Sequence, residues 1–295
     1  MKPWSGNSGD ALIWLGTERL LKDLGIPRTF DPRKADVILI PGGNQTMWQE
    51  NIDVWKEAWT RWPGKKFVVG PTTARLGYTT WRQDVDQSGR NVVGIFARDP
   101  ESYATLCECG LSSRIEIGLS HDPALYLWDS DLLGAHREAA TEEFVLAAFR
   151  RDHEAVVHFG TRRILWESLL PFFLCRRIRR RRVDTHREDR IALVTQHTRR
   201  AEPVRVCDAS RDIFEHFLEI VRSAAEVHTD RLHCMLLAVM LGKPTFAYQT
   251  AYGKLEAICE HSLRGRAPVE FVKDTRSLPS GARRFPLASA RVPQP

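Results

Sequence analysis

The sequence contains no GxGxxG fingerprint and no GxxxxGK[ST] loop, so the two commonest glycine-rich signatures of dinucleotide and nucleoside triphosphate sites are missing. Its six cysteines include no CxxC pair and stand mostly in apolar contexts. They read as reduced thiols, and neither a zinc site nor disulfides are expected. Long hydrophobic runs are also lacking. The longest nearly uninterrupted apolar stretch, residues 164–175, contains Glu167 and Pro171 and falls well short of the roughly 20 residues a spanning helix needs. The first residues carry none of the apolar core of about 7–15 residues that marks a secretory signal, which points to the cytoplasm. No internal repeat is visible.

What remains is an ordinary globular composition. Hydrophobic residues at 43% and charged residues at 27% argue against a disordered, collagen-like or coiled-coil chain. A length of 295 residues suggests two domains at about 150 residues each. The net charge of +6 favours anionic partners in general. Six arginines cluster at Arg176, Arg177 and Arg179–Arg182, and the tail from about Lys273 to Pro295 reads as frayed. Aromatic residues do not interleave with those arginines, so a nucleic-acid stacking platform is not expected.

Short β-branched runs alternate with helical patterns, the signature of parallel α/β units. In the first half, strands are predicted at Asp36–Pro41, Lys66–Pro71, Val92–Ala97 and Arg114–Gly118, with helices at Asp10–Leu24, Gln45–Trp62 and Pro100–Cys109. In the second, strands are predicted at Phe144–Phe149, Ile191–Gln196, Val204–Cys207, Ala225–Thr229 and Thr245–Tyr248. Helices near Arg211–Ser223, Arg231–Leu241 and Lys254–Leu263 separate the later ones. The expected architecture is two Rossmann-like domains, residues 1–130 and 131–272, followed by a disordered tail at 273–295. The active site would lie in the interdomain cleft, at the carboxyl ends of strands. A strand is also expected to lead into the first glycine turn, and the chain ahead of it is too short to supply one.

Several local patterns carry chemistry. Gly6-Asn7-Ser8-Gly9-Asp10 opens a helix and could bring backbone N–H groups against an anion or a sugar; equally, it is a glycine turn with Asp10 favoured by the helix dipole. Gly42-Gly43-Asn44 follows a buried strand, where a backbone can approach a ligand closely. In Arg98-Asp99-Pro100, Asp99 reads as an N-cap and Pro100 as the first helical residue, leaving Arg98 without a structural role. His121-Asp122-Pro123 reads as a turn. Arg150, with Asp152 and Glu154, ends a strand at a predicted cleft edge. In Thr229-Asp230-Arg231-Leu232-His233, Asp230 can cap a helix whose start carries a guanidinium and an imidazole, a combination suited to a phosphate or carboxylate.

Taken together and in this order, these segments, with Asp122-Pro123-Ala124-Leu125, resemble the polysaccharide pyruvyl transferases over roughly residues 5 to 260. Asn44 stands where many members have a third glycine, and the arginine run is foreign to the pattern. The resemblance implies a GT-B-like fold with the acceptor on the N-terminal side and phosphoenolpyruvate on the C-terminal side. It implies transfer of a pyruvyl group from phosphoenolpyruvate to two hydroxyls of a sugar, closing a cyclic ketal, with no metal and no cofactor beyond that co-substrate. His233 and Arg231 are then the expected catalytic residues. Arg150, Arg98, Asn7, Asp10, Gly42, Gly43, Asn44 and Thr229 are the expected substrate contacts. The expected acceptor is a saccharide in a polysaccharide or its lipid-linked precursor. With aromatic and aliphatic residues from Trp166 to Leu174 ahead of the arginine run, a peripheral contact with an anionic membrane is a further expectation. The competing function is a GT-B glycosyltransferase using a nucleotide sugar.

Overall fold

A computed structural model describes residues 8–77, 79–137, 144–150, 188–208, 213–248 and 253–272. Two parallel sheets organise the chain. In the first, β1 (Val37–Ile40), β2 (Lys66–Thr72), β3 (Val92–Ala97) and β4 (Glu116–Leu119) lie side by side in chain order. In the second, β5 (Val145–Ala148), β6 (Val204–Val206), β7 (Glu226–Thr229), β8 (Thr245–Tyr248) and β9 (Val269–Val272) take the order β6-β5-β7-β8-β9. Every residue of β5, β7 and β8 is buried, as expected for central parallel strands covered on both faces.

Helices cover these faces through helical spacing of their apolar residues. Ile52, Trp55 and Trp59 of the helix Gln49–Arg61 are buried against Phe67, Val69, Trp81 and Ile95 in the core of the first sheet. The helix Leu232–Met240 is apolar around its circumference and sits in the centre of the second half, against Leu146, Val227 and Leu255. Leu12 of the first helix, Ser8–Asp23, and Ala124, Leu127 and Leu133 belong to that same cluster, so the N-terminal helix and the short 3-10 helix Pro123–Leu127 pack toward the second sheet. Among the described residues, no helix is long and apolar enough to cross a membrane.

The predicted strand at Ile191–Gln196 is instead helical, within residues 188–197. Arg190 and Val194 are buried while Ala192, Thr195 and Gln196 are exposed, a four-residue spacing that a strand, alternating every second residue, would not give. The predicted helix Gln45–Trp62 is broken at Trp48, whose φ of −128° and ψ of 124° are extended; a 3-10 turn, Gln45–Met47, precedes it. The last predicted helix instead widens toward its end, running Lys254–Ile258 and then continuing as a π-turn, Cys259–Leu263. Edge strand β9 and the helix Trp81–Ser88 were not read from the sequence. The expected leading strand, Asn7, residues 151–187 with the arginine run, and the tail fall outside the described residues.

The carboxyl end of β4 meets the second half through two histidines. His121 and His261 stack with ring centroids 4.9 Å apart; His121 Nδ1 lies 3.0 Å from Ser262 Oγ, and His261 Nε2 lies 3.1 Å from the Ser120 carbonyl. Burial, then His261 and Arg266, pushes the His121 imidazole below its ordinary range. Burial also lowers His228, partly opposed by Glu226. Both groups are therefore neutral in the fold at pH values where the unfolded chain, with imidazoles near about 6.5, takes up protons. Stability is full above about pH 6.5 and is lost as pH falls below it. The melting temperature should drop between pH 7 and pH 5, and the drop should shrink in His121→Gln. A drop of equal size in the variant would remove His121 from the account.

Candidate functional site

The carboxyl ends of all four strands of the first sheet contribute to one buried polar cluster centred on Arg98. Just past β3, Arg98 is 1% exposed, and each of its three guanidinium nitrogens donates a hydrogen bond. Nε donates to Thr73 Oγ1 at 2.9 Å, Nη1 to Asp122 Oδ2 at 2.7 Å and Nη2 to Asn44 Oδ1 at 2.5 Å. Asn44 follows β1, Thr73 follows β2 and Asp122 follows β4, which is where parallel α/β sheets place ligand sites. Arg98 thus has a structural role that its sequence context did not reveal: it ties four loop segments together. Asp99 and Pro100 behave as predicted, with Asp99 Oδ1 accepting the Ser102 N–H at 2.8 Å and Pro100 opening the helix.

The glycines beside Asn44 are explained by close packing of backbone. A side chain at Gly42 would meet the Pro71 carbonyl oxygen at 1.9 Å. Gly43 has a φ of +110°, a left-handed conformation that favours glycine. Its carbonyl accepts the Thr73 N–H and the Thr72 hydroxyl, both at 2.8 Å. The pair lets the loop after β1 lie directly on the end of β2 and so presents Asn44 to Arg98. Asp10 lies in the first turn of the first helix, as predicted, and is half-buried.

From the second sheet, the segment after β7 supplies a set of residues pointing to several partners. Thr229 Oγ1 donates to the Ala148 carbonyl at 2.7 Å and accepts the Arg231 N–H at 3.0 Å, locking the end of β7 to β5. Asp230 does not cap the helix. Its carboxylate accepts the Arg150 backbone N–H and Arg190 Nη1, each at 2.9 Å, because the helix begins one residue later, with Arg231 at the N-cap. Arg190, whose guanidinium lies over the rings of Phe149 and Tyr248, was not singled out from the sequence; the strand assigned there concealed it. Arg231 Nη2 donates to Asp208 Oδ1 at 2.9 Å, at the carboxyl end of β6. Cys234, behind it, is pushed up to about 12 by burial and remains a thiol.

His233 turns the other way. Its Nε2 lies 3.5 Å from Asp122 Oδ2, joining the helix of the second half to the Arg98 cluster of the first. That nitrogen is buried and makes no hydrogen bond, while the side chain as a whole is 18% exposed. Arg231 and His233, expected to serve one anion together, therefore address different carboxylates, Asp208 and Asp122. Burial opposes ionisation of Asp122. The His233 imidazole, then Arg98 and the Ala124 N–H at 3.0 Å, outweigh burial and hold its carboxyl well below the usual carboxylate range. Asp122 is the member of this cluster whose contacts the sequence, read as a turn, did not show. The available signal was its place after the last strand of the first sheet, ahead of a proline.

Two parallel sheets, with polar and cationic side chains gathered at the carboxyl ends of their strands, define a parallel α/β protein. The model of the polysaccharide pyruvyl transferase family matches residues 7–250, and the chain belongs to that family, a transferase family. An uncharacterised protein from Klebsiella pneumoniae is similar in structure at a TM-score of 0.58 and 20% identity, over 91% of this chain and 90% of that one. The UDP-GlcNAc 2-epimerase of Methanocaldococcus jannaschii aligns at a TM-score of 0.42 and 12% identity, over 90% of this chain and 70% of that one. No curated protein matches the sequence.

Proposed function

We propose that the protein transfers a pyruvyl group from phosphoenolpyruvate to two hydroxyls of a saccharide, forming a cyclic ketal and releasing phosphate. The observation that supports this reading best is the meeting of His233 with the Arg98–Asp122 cluster, with Arg231 and Arg150 at neighbouring strand ends of the second sheet. An imidazole beside buried guanidinium and carboxylate groups can carry a proton, and arginines at strand ends suit the carboxylate and phosphate of the donor. In the reaction, His233 protonates the donor methylene carbon, and C2 becomes an oxocarbenium-like centre. A sugar hydroxyl adds to C2 and returns its proton to the imidazole. The C2–O bond to phosphate then breaks, the second hydroxyl adds to C2, and its proton leaves with phosphate. The proposed acceptor is a polysaccharide or its lipid-linked precursor.

Binding separates this reading from the main competitor. Phosphoenolpyruvate should raise the melting temperature of the protein at millimolar concentration, as any ligand selective for the folded state does. Stabilisation by a uridine or guanosine diphosphate sugar, with none by phosphoenolpyruvate, would instead favour a glycosyltransferase. Arg231→Lys should raise KM for phosphoenolpyruvate about tenfold or more, while the circular dichroism spectrum stays unchanged. An ammonium cannot reproduce a guanidinium fork that holds Asp208 and a donor oxyanion at once. Unchanged turnover at low phosphoenolpyruvate would take Arg231 out of the donor site.

A further inference from the structure

We propose that Asp122 is the positioning residue of His233, fixing the neutral imidazole as the Nε2–H tautomer so that Nδ1 is the nitrogen that exchanges protons with the substrate. The inference rests on the reading of His233 as the proton carrier of pyruvyl transfer and assigns the direction in which that proton moves.

The geometry of the carboxylate carries it. Asp122 Oδ1 accepts the Ala124 N–H at 3.0 Å, at the N-cap of the turn Pro123–Leu127, and Oδ2 accepts Arg98 Nη1 at 2.7 Å. Both oxygens are thereby fixed in a residue that is 0% exposed. An ionised carboxylate can only accept hydrogen bonds, so a nitrogen facing it must bear hydrogen to be satisfied. Nε2 of His233 is that nitrogen. It is buried, 3.5 Å from Oδ2, and has no other partner. Distances of this kind commonly shorten into hydrogen bonds once substrate is bound. With Nε2 committed inward, Nδ1 is the ring nitrogen left to meet substrate, on a side chain that keeps 18% of its surface exposed. In the imidazolium form the Nδ1–H bond breaks as the donor C3–H bond forms, leaving the neutral Nε2–H tautomer that Asp122 prefers. When the sugar hydroxyl adds to C2, its proton returns to Nδ1 and the imidazolium is regenerated.

Asp122 is held from three sides, by the Ala124 N–H, Arg98 and His233. Arg98 is itself anchored on Thr73 and Asn44, so the carboxylate cannot rotate away from the imidazole without breaking contacts to three strand ends. Imidazole orientation is then inherited from the whole carboxyl edge of the first sheet, although His233 stands on a helix of the second.

The test is a nitrogen-15 NMR measurement on the full-length protein labelled at histidine, with the His233 ring signals assigned by their absence in His233→Gln. At a pH where the ring is neutral, Nε2 should show the shift of a protonated nitrogen and Nδ1 that of an unprotonated one. The reverse pattern overturns the proposal. In Asp122→Asn, the tautomer preference should weaken, and kcat for phosphate release should fall at least about tenfold, with KM for phosphoenolpyruvate within about twofold. A folded Asp122→Asn protein with unchanged kcat also overturns it. If that variant does not fold, the tautomer of the unsubstituted protein decides alone. Should the protein release no phosphate from phosphoenolpyruvate while the Nε2–H tautomer is observed, the positioning role stands and the assigned reaction falls; the Nδ1–H tautomer in an active enzyme has the opposite meaning.

Discussion

His233→Ala should lower kcat on the order of a hundredfold or more, the scale on which a positioned general acid–base group contributes. The side chain is only partly buried, at 18% exposure, and packs at the start of a helix whose remaining residues from Cys234 to Met240 make the apolar core. Its truncation therefore removes little core volume, and the circular dichroism spectrum should be unchanged. KM for phosphoenolpyruvate should change far less than kcat, because the arginines and not the imidazole carry the donor charge in this account. If activity is lost together with the folded spectrum, the imidazole is a structural residue.

Arg98→Met should cost about 3–5 kcal/mol of folding stability, measured by urea denaturation. Removing the guanidinium leaves Asp122 ionised at 0% exposure with the Ala124 N–H and the His233 imidazole as its remaining partners, and leaves Asn44 and Thr73 without the donors they now accept. The double variant Arg98→Met, Asp122→Asn should regain a substantial part of the loss, since it no longer buries an uncompensated charge. A single variant within about 1 kcal/mol of the unsubstituted protein would mean that the cluster is solvated in a way its burial does not suggest.

The strands were readable because buried parallel strands announce themselves as short β-branched runs. The predicted Val92–Ala97 strand coincides with β3, and Thr245–Tyr248 coincides with β8. Glycines mark two helix ends: Gly25 and Gly242 both adopt positive φ where helices stop. The segment at Ile191–Gln196 misled because a run rich in aliphatic residues has no period of its own to separate strand from helix; only the burial of Arg190 with Val194 reveals the helix. At the site, single residues could be named, but their partners could not. Arg98 meets Asn44 across 54 positions of chain, and His233 meets Asp122 across 111, and no local pattern encodes a pairing of that length. Asp230 shows the same limit. Locally it is a good helix cap, yet Arg190 and the Arg150 backbone hold its carboxylate instead.

Release of inorganic phosphate from phosphoenolpyruvate, followed with a panel of saccharide acceptors and with the acceptor product checked by mass, tests the central claim most directly. The account predicts phosphate release that requires both substrates, a product heavier than the acceptor by one pyruvate less one water, and loss of that signal in His233→Ala. Saccharide modification that proceeds without phosphoenolpyruvate, or phosphate release undiminished in His233→Ala, would contradict it.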